Sequence, residues 1–442
     1  MNSIFKQVLS IFFFLCPLIT EAVVPHKVLD IQLWNTSKGT PVYFVQTKEV
    51  PILVAQIGFD AGSARDASSL EGTAALTNTL LNDGNAGLTE TQMAEGFDEI
   101  GADYSHWVSR DVSIFQLKTI TEKDKLDKAL NYFTKIFQPD FPENAFLREK
   151  KQQKIMISRQ EESPDVVANK ALWASIYANH PYGHPILGTE DSVDKIQLQN
   201  IKDFYHQYYV ASNAVISIAG AIDLATAKMI AEKISESLPV GTKAAPLPQP
   251  VELLQAVQKD IPYESTQTIV FLGQLGIDYH DPDYFPLILG NYSLGGGTLV
   301  SQLSNEVRQK RGLTYGISSG FQPLEVKGPF VISFGTRTEK SAEALQVTQE
   351  TLKRFLKNGP TPQELAAAKR FMKGNFPLRF ETNTDIASIL FIMGFYALPL
   401  DRLDTYLDHM NAVTAPQIKA AFQKHIQPEK MVTVIVGKNA KN

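Results

Sequence analysis

The chain repeats itself at one long offset. Thr119-Ile120-Thr121-Glu122-Lys123 returns as Thr336-Arg337-Thr338-Glu339-Lys340, and 336 − 119 = 217. Ile201-Lys202, in an amphipathic stretch, returns as Ile418-Lys419, and 418 − 201 = 217. Residues 214–220 (Ala-Val-Ile-Ser-Ile-Ala-Gly) return as 431–437 (Met-Val-Thr-Val-Ile-Val-Gly), and 437 − 220 = 217. Short apolar strands resemble one another by chance, but three matches in one order at one offset point to a duplicated domain. Solenoid repeats, at about 20 to 50 residues, are far shorter. At 442 residues the chain can fill two sizeable cores. The join falls at residues 239–250, where Pro, Gly and Ala crowd together and apolar periodicity stops. The expected division is a first domain at 23–238, a linker at 239–257 and a second domain at 258–442, preceded by a leader at 1–22.

Both halves alternate strand-like and helix-like segments. In the first, 28–33, 41–45, 52–59, 112–119 and 214–219 read as strands, and 72–81, 91–100, 122–136, 143–160, 166–177 and 196–208 as helices. In the second, 268–272, 330–336 and 431–436 read as strands, and 284–292, 299–311, 341–357, 362–376, 386–396 and 415–425 as helices. Intermingled elements with several hairpins predict an α+β fold, with a mixed, largely antiparallel sheet in each half and helices on one side.

Composition narrows the function. A net charge of −5 leaves no electrostatic footprint for nucleic acid or an anionic membrane. The N-terminus carries Lys6 and then a nearly continuous apolar run at 8–19, too short for a confident membrane span and suited to a secretory signal cleaved after Ala22. The alternative is an uncleaved anchor. Cys16, the single cysteine, follows the bulky Leu15 and makes no lipoprotein processing site. Cleavage would leave no cysteine, which excludes disulfides, thiolate zinc sites and thiol catalysis in the mature chain. Export without disulfides suits a bacterial periplasm.

Residues 72–81 (Gly-Thr-Ala-Ala-Leu-Thr-Asn-Thr-Leu-Leu) open a buried helix. They resemble the segment where insulinase/pitrilysin-type (inverzincin) zinc peptidases carry Gly-x-Ala-His-x-x-Glu-His. Two His at i and i+4 grip zinc there, with the Glu as general base. Ala75, Asn78 and Thr79 stand at those positions, and none is a competent ligand or base. The family's remaining ligand, a Glu on a later helix, maps near Met156; Glu161 and Glu162 lie more than a turn away. The reading is a dismantled metal site.

Two further segments carry the resemblance. His180-Pro181-Tyr182-Gly183, with Gly188 after it, is similar to a loop of bacterial family members. His180 and His184 are four apart, but Pro181, Gly183 and Pro185 forbid the helix that would let them share a metal. The second runs from Gly295-Gly296-Gly297 to Arg308 and Tyr315, 315 − 308 = 7 residues apart. No Gly-Lys-Ser/Thr follows the glycines, so they make no phosphate cradle. In the family such an Arg and Tyr bind substrate: the guanidinium supplies fixed donors and the phenol can donate to a developing oxyanion. Taken without the resemblance, Arg308 reads rather as a solvated helix charge and Tyr315 as a core aromatic. Asp30, Asp60, Asp66 and Asp83 form no metal-spaced cluster, no Gly-x-Ser-x-Gly is present, and Trp34, Trp107 and Trp173 read as core or interface residues.

The resemblance covers about residues 28–436 and implies two α/β-roll domains forming half of a clamshell. It also implies a role. In heterodimeric bacterial members, one subunit contributes the Arg/Tyr pair and the other an intact His-x-x-Glu-His. The expectation is a periplasmic or secreted, non-catalytic subunit that binds no cofactor itself. It would use Arg308 and Tyr315 to present peptide to a partner holding zinc. The alternatives are an inert peptide-binding or scaffold homodimer, and an enzyme with a relocated metal site, against which the eight His offer no helical i, i+4 pair.

Overall fold

The computed structural model describes residues 27–438, so the leader expected at 1–22 lies outside the described residues. Two sheets are built in the same order. The first contains β1 (Gln32–Asn35), β2 (Pro41–Gln46), β3 (Ile52–Phe59), β4 (Asp103–Val108), β5 (Ser113–Ile120) and β6 (Ala214–Gly220), arranged β1-β2-β6-β3-β5-β4. The second contains β7 (Val257–Pro262), β8 (Gln267–Leu275), β9 (Thr314–Phe321), β10 (Pro329–Arg337) and β11 (Val432–Gly437), arranged β7-β11-β8-β10-β9. β2 runs parallel to β6 and β7 to β11, and every other pairing is antiparallel. Removing β1 makes the two orders identical.

Each sequence echo occupies the same place in both halves. Glu122 and Glu339 follow β5 and β10, just before a helix, and 214–220 and 431–437 form β6 and β11. The helices Leu198–Tyr208 and Ala415–His425 also correspond, and Ile201 and Ile418 are fully buried on them.

Each half packs its own helices on one side of its sheet, as expected. The other side is closed by a helix from the opposite half. Pro164–Tyr177 lies on β8 and β11, burying Ala168, Leu172 and Ile176 against Ile269, Val432 and Val434. Asn383–Phe395 lies on β2, β3 and β6, burying Ile386, Leu390 and Phe391 against Tyr43, Val54 and Ala219. Both sheets are thus buried on both faces, which explains the near-continuous apolar runs of β3 and β6.

Some expectations shift. The strand expected at 28–33 forms at Gln32–Asn35. The expected helix 299–311 is confined to its second half, where Ser304–Gln309 forms a π-helical turn. The helix expected at 284–292 passes from α (Tyr284–Asn291) into a second π turn, Tyr292–Gly296. The structure adds edge strands β4, β7 and β9 and the helices Glu190–Lys195, Leu224–Glu236 and Arg402–Ala412 to the expected elements. Residues 239–256 contain neither helix nor strand; they start along the first half, where Ala244 N donates to Asn213 Oδ1 (2.9 Å), and reach the second, where Glu252 pairs with Lys327 (3.0 Å).

Candidate functional site

The degenerate helix, Thr73–Leu80, starts from Gly72 at φ +100°, a left-handed conformation in which a Cβ would also lie 2.5 Å from the Leu187 carbonyl oxygen. The buried Asp66 carboxylate caps it, accepting from Gly72 N and Ala74 N at 2.7 Å each. Burial pushes the Asp66 pKa well up, against the lowering effect of those two bonds.

The positions of the lost ligands are filled by a hydrogen-bond network. Ala75 is buried and offers no donor atom. Asn78 is buried, accepts at Oδ1 from His106 Nδ1 (2.6 Å) and donates through Nδ2 to Ser113 Oγ (2.7 Å). Ser113 Oγ lies 2.7 Å from the Tyr209 hydroxyl. Thr79 turns its hydroxyl back to the Ala75 carbonyl at 3.2 Å. His106 accepts at Nε2 from Asn82 Nδ2 (2.9 Å), so both ring nitrogens are engaged as in a neutral imidazole, and burial lowers its pKa. Zinc does not fit this set: an alkyl group, an amide already using both ends and an inward-bonded hydroxyl provide no tetrahedral donors.

The later helix, Glu143–Glu161, supplies no replacement. Met156 is 37% exposed, and Glu161 is committed to Lys170 at 2.6 Å. The His-Pro-Tyr-Gly segment is a structural turn, Pro181–Gly183. His180 donates to the Pro248 carbonyl (2.8 Å) and accepts from Tyr182 N (3.1 Å), while His184 Nδ1 bonds the Pro185 carbonyl (3.1 Å). Among the described residues, only Asp281, Asp283 and His425 converge as possible metal donors, and Lys424 already pairs with Asp283 at 2.6 Å.

Arg308 and Tyr315 sit on neighbouring pieces of one turn. Arg308 is on the π turn Ser304–Gln309, and Tyr315 is the second residue of β9. The connection is fixed by Gly312 N donating to the Arg308 carbonyl (2.8 Å) and Leu313 N to the Val307 carbonyl (2.9 Å). Arg308 is partly buried, and among the described residues its guanidinium has no hydrogen-bond or ion-pair partner. Tyr315 is 87% exposed, so it is not a core aromatic. Neighbouring charges are spoken for: Lys310, Arg311 and Arg354 all converge on Glu306.

Sequence reasoning missed a buried seam between the halves. The Asp111 carboxylate accepts from the Tyr182 hydroxyl, from Tyr396 OH (2.9 Å) and from Glu325 N (3.0 Å), although Tyr396 and Glu325 belong to the other half. Arg65 binds Asp60 with two 2.6 Å contacts and reaches Glu325 at 3.5 Å. No local pattern announces the contacts that cross between the halves, because Glu325 and Tyr396 lie more than 200 residues from Asp111 and Arg65.

Comparison with known proteins agrees with this geometry. Residues 44–190 match the family model described as Insulinase (Peptidase family M16), and residues 195–372 the one described as Peptidase M16 inactive domain. The chain is 27% identical over 394 residues to "Uncharacterized zinc protease YmxG" of Bacillus subtilis, covering 88% of this chain and 94% of that one. It is 25% identical over 411 residues to "Non-peptidase homolog YmxG" of Helicobacter pylori, covering 91% and 93%. The crystal structure of a peptidase M16 inactive domain from Pseudomonas fluorescens superposes with a TM-score of 0.90 at 38% identity, covering 94% of this chain and 99% of that one. The chain therefore belongs to the insulinase family, peptidase family M16, as a non-catalytic member whose zinc helix has lost its ligands.

Proposed function

We propose that this chain is the non-catalytic subunit of an exported zinc metallopeptidase, binding and orienting peptide against a zinc-bearing partner of the same family. The observation that carries this reading is the pairing of an unengaged Arg308 with an exposed Tyr315 on one bonded turn, in a chain whose own metal positions are closed. An uncommitted guanidinium suits a peptide carbonyl, and a free phenol suits the oxygen that gains charge during hydrolysis. Zinc in the partner would supply the activated water. The apolar run at 8–19 supports export to the periplasm.

Two experiments test it. Affinity purification of the mature chain from its native envelope should recover a family member bearing His-x-x-Glu-His at near one-to-one. Recovery of the chain alone or with itself would favour the peptide-binding homodimer instead. In the reconstituted pair, Tyr315→Phe should lower turnover by about 10- to 1,000-fold, the range for losing one oxyanion donor. Unchanged turnover would remove Tyr315 from the site.

A further inference from the structure

A second guanidinium leaves its terminal donors unused, beside the seam. Arg110 sits between β4 and β5, with its charged carbon 3.5 Å from the centroid of the Trp173 ring. Its Nε donates to the Tyr182 carbonyl at 3.0 Å. The stack and the single bond fix both place and orientation. Among the described residues, the two terminal nitrogens meet no acceptor, and no carboxylate lies within ion-pairing distance. Asp111, next in sequence, is already engaged by Tyr182, Tyr396 and Glu325. Desolvation is the main cause that lowers the Arg110 pKa to about 10, so the group stays charged at neutral pH. A cation held rigidly, partly stripped of water and left without a counter-ion is a poor choice for stability alone.

Arg110 is one of the residues lining a cavity of about 330 Å³. Gln160 and Asn169 bring amides to its wall, and Lys170 a second cation, already paired with Glu161. Leu187 and Phe271 supply apolar surface, Phe271 from the opposite half, and Asp165 is the one acidic residue on the wall. A planar fork of donors beside amides and an apolar floor matches a carboxylate carried on an organic body better than a bare metal or a base.

We propose that this cavity is a carboxylate-binding subsite for peptides, in which Arg110 takes the carboxylate through its two terminal nitrogens. The carboxylate is either a peptide C-terminus or an Asp or Glu side chain. The proposal shares with the subunit reading only that peptide is bound; the site lies wholly in this chain, so the two can fail separately.

The test needs neither metal nor partner. Binding to the full mature chain is measured by calorimetry and by Trp emission, with Trp173→Phe identifying the reporter. The probes are acetyl-Ala-Ala-Phe as free acid, the same peptide as its amide, acetyl-Ala-Glu-Phe-amide, and inorganic phosphate. One or both carboxylate-bearing peptides should bind about 10- to 100-fold tighter than the neutral amide, the worth of a hydrogen bond to a charged group, and which one does so names the source. Arg110→Gln should erase that preference. Asn169→Asp, which spares the Arg110–Trp173 stack, should weaken the acidic peptides alone. Equal binding of all three peptides, no peptide binding, phosphate binding only, or a preference that survives in folded Arg110→Gln would each overturn the proposal.

Discussion

Asn78 shows how far one substitution can be absorbed. At the position of the family's general base it ties His106 to Ser113, through contacts of 2.6 and 2.7 Å, against the edge of the first sheet. The loss of zinc ligands at Ala75, Asn78 and Thr79 was readable residue by residue. What replaced them was not, because His106 lies 28 residues away on an edge strand with no strand signal of its own. Asn78→Ala should cost about 1–3 kcal/mol in urea denaturation, since it orphans buried polar groups on His106 and Ser113. A loss within error would show that the network contributes nothing to the fold. Tyr315 argues the other way: its 87% exposure came only from the fold, yet its spacing from Arg308 was visible in the sequence.

Elements explain what periodicity could not. The apolar spacing of 299–311 suits an α-helix, yet Ser304–Gln309 closes with the wider π turn so that Leu313 and Gly312 can fold back beneath it. The turn between β9 and β10 reaches into the other half and places Glu325 against Asp60, Arg65 and Asp111. Burial first, and repulsion from Asp60 and Asp111, raise Glu325 to about 7, more than Arg65 lowers it. A carboxyl with a raised folded pKa stabilises the fold below its unfolded value, and that contribution fades as pH climbs from about 4.5 through 7. Glu325→Gln should therefore raise the Tm at pH 8 and flatten its decline between pH 5 and 8. A Tm at pH 8 equal to or below the parent's would contradict this. Close approach seats the exchanged helix as well: a Cβ at Gly394 would lie 2.6 Å from the Tyr43 ring and 2.7 Å from Val215. Gly394→Val should destabilise by about 1–3 kcal/mol, as overpacking of a filled core does.

At the scale of the molecule, the two halves exchange helices and lock them with matching tyrosines. Tyr177, on the helix given to the second half, donates to the Lys327 carbonyl (2.9 Å), and Tyr396, just past the helix given to the first, donates to Asp111 (2.9 Å). Neither sheet is covered on both faces without the other half. The chain should unfold calorimetrically in one transition, and the first half alone (23–238), lacking Asn383–Phe395, should expose an apolar face and bind hydrophobic dyes. Two separate transitions would mean that the halves are independent domains.

The sequence by itself determined the duplication, the α+β alternation and the loss of zinc ligands, because offset, periodicity and donor chemistry are local or regular properties of a chain. The helix exchange, the π turns, the Asp111 seam and the stacked Arg110 were decided only by tertiary structure. Each depends on side chains from distant segments meeting where water is excluded, and there a single unpaired donor or charge carries a cost that no local pattern records.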